Sequence, residues 1–128
     1  MVSFPIFTVE TVDPTVRCFR SVAHAEGWLE VIDVENSEYR FWDRQGQRLE
    51  FRVEPKARRW LRLAGTGDDD VVGLRAAIAR YAEALGVPAS AVAQSSPADA
   101  VAYLANVDSQ IDEAKRKRRR WYQFWRSR

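Results

Sequence analysis

The chain has 128 residues, of which 46% are hydrophobic, 30% charged and 12% aromatic, with one cysteine and a formal net charge of +2. That composition excludes a disordered or disulfide-stapled protein, and the length suits one domain that buries about two-thirds of its unfolded surface. The small net charge hides a division: residues 1–114 carry 12 basic and 18 acidic side chains, 12 − 18 = −6, whereas residues 115–128 carry 8 and 0, a net +8. The expected organisation is one acidic domain over 1–114 and a basic, aromatic helix extension or tail over 115–128.

In chain order, "FPIFTVETV" (Phe4 to Val12) is rich in β-branched and aromatic residues and ends at an Asp-Pro turn, which predicts a strand. "TVRCFR" (Thr15 to Arg20) alternates polar and apolar residues and predicts a second, with Cys18 as a small buried hydrophobe. The period then changes. "SVAHAEGWLEVI" opens on Ser21, a good N-cap, and sets Val22, Ala25, Trp28, Leu29 and Ile32 on one helical face. "YRFWD" and "RLEFRVEP" flank a Gly-containing turn and read as a hairpin, and "RRWLRLAG" alternates as a further strand of the same meander. One face of this sheet is expected to be wet.

"TGDDD" is expected to end the sheet and start a helix, its acids complementing the positive N-terminal end. Val71, Leu74, Ala77, Ile78, Tyr81 and Leu85 form the apolar face, and Gly86 followed by Pro88 stops it. "ASAVAQS" makes a short connection. Ser96 and Pro97 then cap and begin a last helix, whose stripe Leu104, Val107, Ile111, Ala114, Arg118, Trp121 and Trp125 carries it into the basic tail. The fold class expected is α+β: an antiparallel meander with one inserted helix and two C-terminal helices packed on one face.

Residues that could carry chemistry are few. His24 has no second His or Cys at ligand spacing, and Cys18 has no obvious base other than His24. Asp68 to Asp70 need no metal to explain them at a helix start. No phosphate-loop, nucleophile-elbow or zinc motif occurs. The expectation is a protein that is not an enzyme and takes no metal or cofactor. A cytoplasmic location follows from the lone cysteine and from an N-terminus without a basic n-region.

Two oppositely charged stretches remain as binding candidates. In the tail, Lys115, Arg116, Lys117, Arg118, Arg119 and Arg120 precede Trp121 and Trp125, a pattern suited to nucleic-acid phosphates with stacked bases or to an anionic lipid surface. The same aromatics could instead fold back onto the domain. The run from Ser21 to Tyr39 holds Glu26, Glu30, Asp33, Glu35 and Glu38 and no Lys or Arg, so it can present a negative field to a basic protein.

"AEGWLE", "IDVENSEY" and the "D..G..L" hairpin, within Ser21 to Glu54, resemble a segment of immunity proteins from bacterial contact-dependent growth inhibition and polymorphic-toxin loci. The resemblance covers about a quarter of the chain. It implies a protein that binds and neutralises a cognate toxin domain, such as a nuclease with a basic cleft, by occluding its active site or substrate surface. On that reading Glu26, Glu30, Asp33, Glu35 and Glu38 orient the toxin while Tyr39 and Trp42 supply aromatic affinity. The alternative is a small protein that binds nucleic acid or a membrane surface through the tail. Neither reading sets an oligomeric state.

Overall fold

A computed structural model of the chain describes residues 3–28, 39–53 and 61–126, with backbone alone at 22, 26, 27, 51–53 and 61–67. Its centre is a five-stranded antiparallel sheet in the order β2-β1-β3-β4-β5, built from β1 (Ile6–Glu10), β2 (Val16–Phe19), β3 (Tyr39–Trp42), β4 (Gln47–Val53) and β5 (Leu61–Asp69). Between β1 and β2, Asp13 Oδ1 accepts a 2.9 Å hydrogen bond from the Thr15 amide, a side-chain-closed turn. That bond also holds the Asp13 carboxyl below its usual pKa. The chain then crosses β1, so β3 pairs with β1 and leaves β2 as an edge.

Register decides which side chains meet. Phe7 pairs with Cys18 and Trp42, and Val9 with Val16, whereas Ile6 pairs with Phe19 and Thr8 with Arg17 and Phe41. Phe7, Val9, Val16 and Trp42 therefore share one face. They form a single core with Leu74, Ile78, Tyr81, Ala100, Val101 and Leu104 of the two C-terminal helices. The architecture is α+β, with both of those helices on that face.

The opposite face is not the wet one that strand alternation suggests. Ile6, Thr8, Phe41 and Leu49 are all buried there. Helix α1 (Val22–Trp28) contributes Ala25, also buried, and Trp28, whose ring continues a row running His24, Phe19, Trp28, Tyr39, Phe41 with centroids 5.2 to 6.0 Å apart. Arginines lie over indoles on both faces, Arg17 on this one and Arg40 and Arg48 on the face that carries Trp42. The Arg17 guanidinium carbon is 4.6 Å from the Trp28 ring, and those of Arg40 and Arg48 are 5.6 and 5.8 Å from Trp42.

Strand β5 runs further than its composition suggests. Gly and Asp are poor strand formers, but Leu49 pairs with Gly65 and Gln47 with Asp69 across an irregular register, which holds the segment extended. Only Asp70 caps helix α2 (Val71–Ala84), accepting from the Gly73 amide at 3.2 Å. Asp68 and Asp69 are exposed at the strand end. The hairpin turn abuts this junction: Gly46 has φ 87°, its carbonyl accepts from the Asp70 amide at 2.9 Å, and a Cβ there would lie 2.7 Å from Val71 Cγ2. Glycine is required both for the backbone conformation and for the approach.

The predicted face of α2 is buried at Leu74, Ala77, Ile78 and Tyr81, while Val71 is partly exposed at the start. Gly86, at φ 75°, ends the segment before a 3-10 turn over Ala89–Ala91. Helix α3 (Pro97–Arg126) starts where Ser96 Oγ accepts from the Asp99 amide at 3.2 Å, and it continues for 30 residues through the basic stretch.

Candidate binding surface

Helix α3 divides into two halves of about equal length. In the first, Ala100, Val101 and Leu104 are buried and Val107, Asp108 and Ile111 half-buried. Tyr81 on α2 donates its hydroxyl hydrogen to Asp108 Oδ2 at 2.9 Å and so ties the two helices together near the end of the packed part. Burial and the adjacent carboxylate push the Tyr81 pKa up, which keeps the phenol protonated as a donor. From Asp112 to Arg126 every residue is exposed, a projecting helical segment about 22 Å long at 1.5 Å per residue.

The last acid of the chain is Glu113, which lies 3.5 Å from Lys117 Nζ. Beyond it Lys115 to Arg118 step around the helix by about 100° each and form a collar of positive charge. The following two turns are sorted. At about 100° per residue, Trp121, Tyr122, Phe124 and Trp125 occupy one arc of about 160°, while Arg119, Arg120, Gln123 and Arg126 occupy the other side. Exposure of the four aromatics is 63, 64, 57 and 56% in that order, so they do not fold back onto the described part of the domain. The Trp121 and Trp125 rings contact each other at 5.5 Å and 52°. Tyr122 and Phe124, not singled out from the sequence, complete the aromatic side; their signal was the same helical spacing.

The acidic candidates are distributed differently. Glu30, Asp33, Glu35 and Glu38 lie outside the described residues, and Glu26 belongs to α1 with its side chain outside them. Tyr39 is partly buried between the Trp28 and Phe41 rings. Trp42 is corrected from an interface anchor to a core residue. It is 0% exposed and donates its indole N–H to Asp70 Oδ2 at 3.0 Å, so it has no surface to offer a partner. The same Asp70 oxygen lies 3.5 Å from Arg48. The indole hydrogen bond, with smaller help from Gly73 and Arg48, holds the Asp70 carboxyl below its usual pKa.

A groove of about 1090 Å³ runs between β2, an edge strand of the described sheet, and α3, with Cys18, His24 and Trp28 on one wall and Ala102, Ser109 and Arg116 on the other. Cys18 is exposed along it rather than buried: the registry that sends Val16 toward the helices leaves Cys18 at the edge, beyond their cover. What desolvation it has pushes the thiol pKa up, opposite to the shift that activates a cysteine nucleophile. His24 packs edge-on against Phe19, and its amide donates to Ser21 Oγ at 3.1 Å. Among the described residues, no group of three or more His, Cys, Asp or Glu side chains is placed to hold a metal ion. No helix among them is long and apolar enough to cross a membrane.

No protein-family model, curated protein or solved structure matches the chain.

Proposed function

We propose that the protein is a non-catalytic binding protein that attaches its acidic domain to a phosphate-bearing anionic partner through residues 115–126 of α3. One observation carries this reading: the segment is helical and wholly exposed, has no acid after Glu113, and displays seven cations and four large aromatic rings. A merely solvated helix end accounts for the cations. It does not account for four adjacent rings left more than half exposed, because contiguous apolar surface of that kind marks a contact site. Like charges at i and i+4, such as Lys115 with Arg119 and Arg116 with Arg120, oppose the helix, and phosphate groups relieve that repulsion.

Retention on phosphocellulose across a salt series tests the reading, with the full chain beside one ending at Ala114. The described residues that the shortened chain loses, 115–126, are all exposed. The full chain is expected to elute at clearly higher salt, and co-elution of the two forms overturns the proposal.

A second proposal concerns the domain, whose net charge of −6 and whose resemblance over Ser21 to Glu54 favour neutralisation of a toxin domain in the bacterial cytoplasm. It uses a different part of the chain, so the two proposals are separable. Replacing Glu30, Asp33 and Glu35 together by Lys is expected to weaken capture of a basic toxin domain. Unchanged affinity in a folded triple variant overturns it.

A further inference from the structure

The sorting of side chains around the last two turns of α3 distinguishes among phosphate-bearing partners. This step rests on the reading that residues 115–126 bind such a partner. A strand of unpaired nucleotides alternates backbone phosphate with base, and proteins that hold it interleave cations with rings spaced to accept bases between or upon them. Here the rings and the cations occupy opposite sides of the helix. The two indoles, 5.5 Å apart and tilted by 52°, touch each other rather than leave a slot for a base.

A planar anionic interface calls for the arrangement that is present. An interfacial helix buries an aromatic and apolar side at the headgroup boundary and turns cations upward and outward to the phosphates. Trp and Tyr have an apolar body and a polar tip suited to that depth, and Arg119, Arg120 and Arg126 border the ring side, where long side chains can reach headgroups. The collar Lys115 to Arg118 then sits where the helix leaves the surface, within range of the negative potential of anionic lipids. The segment is far too short and charged to span, so the association is peripheral. The acidic domain, at −6, is repelled by the same surface, which favours contact through the projecting tip.

We infer that the partner is an anionic phospholipid surface, entered side-on by Trp121, Tyr122, Phe124 and Trp125 and held by the cations that flank them.

The test uses the full chain with vesicles of phosphatidylcholine containing phosphatidylserine, vesicles of phosphatidylcholine alone, and a single-stranded oligonucleotide at equal phosphate concentration. The expected result is tight partitioning to the anionic vesicles with a blue shift of tryptophan emission, and weak partitioning to the zwitterionic ones. Because all four rings are exposed, Trp121→Gln with Trp125→Gln leaves the domain folded. It is expected to lower partitioning to the anionic vesicles about tenfold or more. Each Arg→Gln change in the collar lowers partitioning about fivefold. If the oligonucleotide binds more tightly than the vesicles, or if the double tryptophan variant partitions as the parent does, the lipid inference is overturned and the phosphate-binding reading stands. If vesicles, oligonucleotide and phosphocellulose all fail to retain the full chain, both fall.

Discussion

The two halves of α3 share one helix and one side-chain rhythm, yet their surroundings are opposite. From Pro97 to Ile111 the stripe lies on the sheet and on α2 and buries Ala100, Val101 and Leu104. From Asp112 to Arg126 the stripe continues as Ala114, Arg118, Trp121 and Trp125 with nothing described against it. Periodicity therefore specifies which way a side chain faces on its helix but not whether another element stands there to receive it. Large apolar residues on the inner stripe do structural work, and the same kind of residue on the outer stripe is available to a partner.

Substitution on the two stripes gives the largest expected contrast. Leu104→Ala removes a fully buried side chain from the shared core and is expected to cost about 2–5 kcal/mol in urea unfolding. Trp125→Ala, two thirds of a helix further on, is expected to change stability by no more than about 0.5 kcal/mol. Equal losses would mean that the tip is packed after all.

Next comes the junction that seats α2 beneath the inner half. Asp70→Ala removes the helix cap and leaves the buried Trp42 indole N–H without its acceptor, at an expected cost of about 2–3 kcal/mol. Because the folded pKa of Asp70 is lowered, its contribution is fully present above the unfolded value near 3.9 and is lost as pH falls through the lower, folded value. Stability measured by thermal unfolding should fall in that acid window for the parent and fall less steeply for Asp70→Asn. Tyr81→Phe deletes the hydroxyl bond to Asp108 and is expected to cost about 1 kcal/mol, visible as a lower urea midpoint.

The smallest effect sharpens the comparison from the outer side. Each like-charged i,i+4 pair opposes the helix by a few tenths of a kcal/mol, a penalty that salt screens. Far-UV circular dichroism of the full chain should gain helicity between low and moderate salt. A chain ending at Ala114 should not, since the inner half is held by packing.

Legibility in the sequence followed the same division. The apolar face of α2 and the cap at Ser96 were readable because they depend on helical spacing and on a local hydrogen bond. The extent of β5 was not. Gly65, Gly67, Asp68 and Asp69 are poor strand residues held extended by pairing with β4, a contact that local composition does not encode. Cys18 and Trp42 were exchanged in role for a related reason. Both sit in short alternating strands, and only strand order shows that Cys18 lies on an edge strand of the described sheet while Trp42 sits beside Phe7 over the helices. The basic helix was visible as composition, but its exposure depends on where the sheet and α2 stop, which no window of α3 records.

Between Ala98 and Arg126, α3 contains neither glycine nor proline, and so no built-in joint. The tip and the sheet consequently behave as the two ends of an outrigger. A tip fixed on any partner sets the bearing of the domain, and with it the direction in which the β2 edge of the described sheet looks. One residue inserted after Ala114 should swing that edge by about 100° and shift it by about 1.5 Å, whereas four should bring it back nearly to its original heading one turn further out.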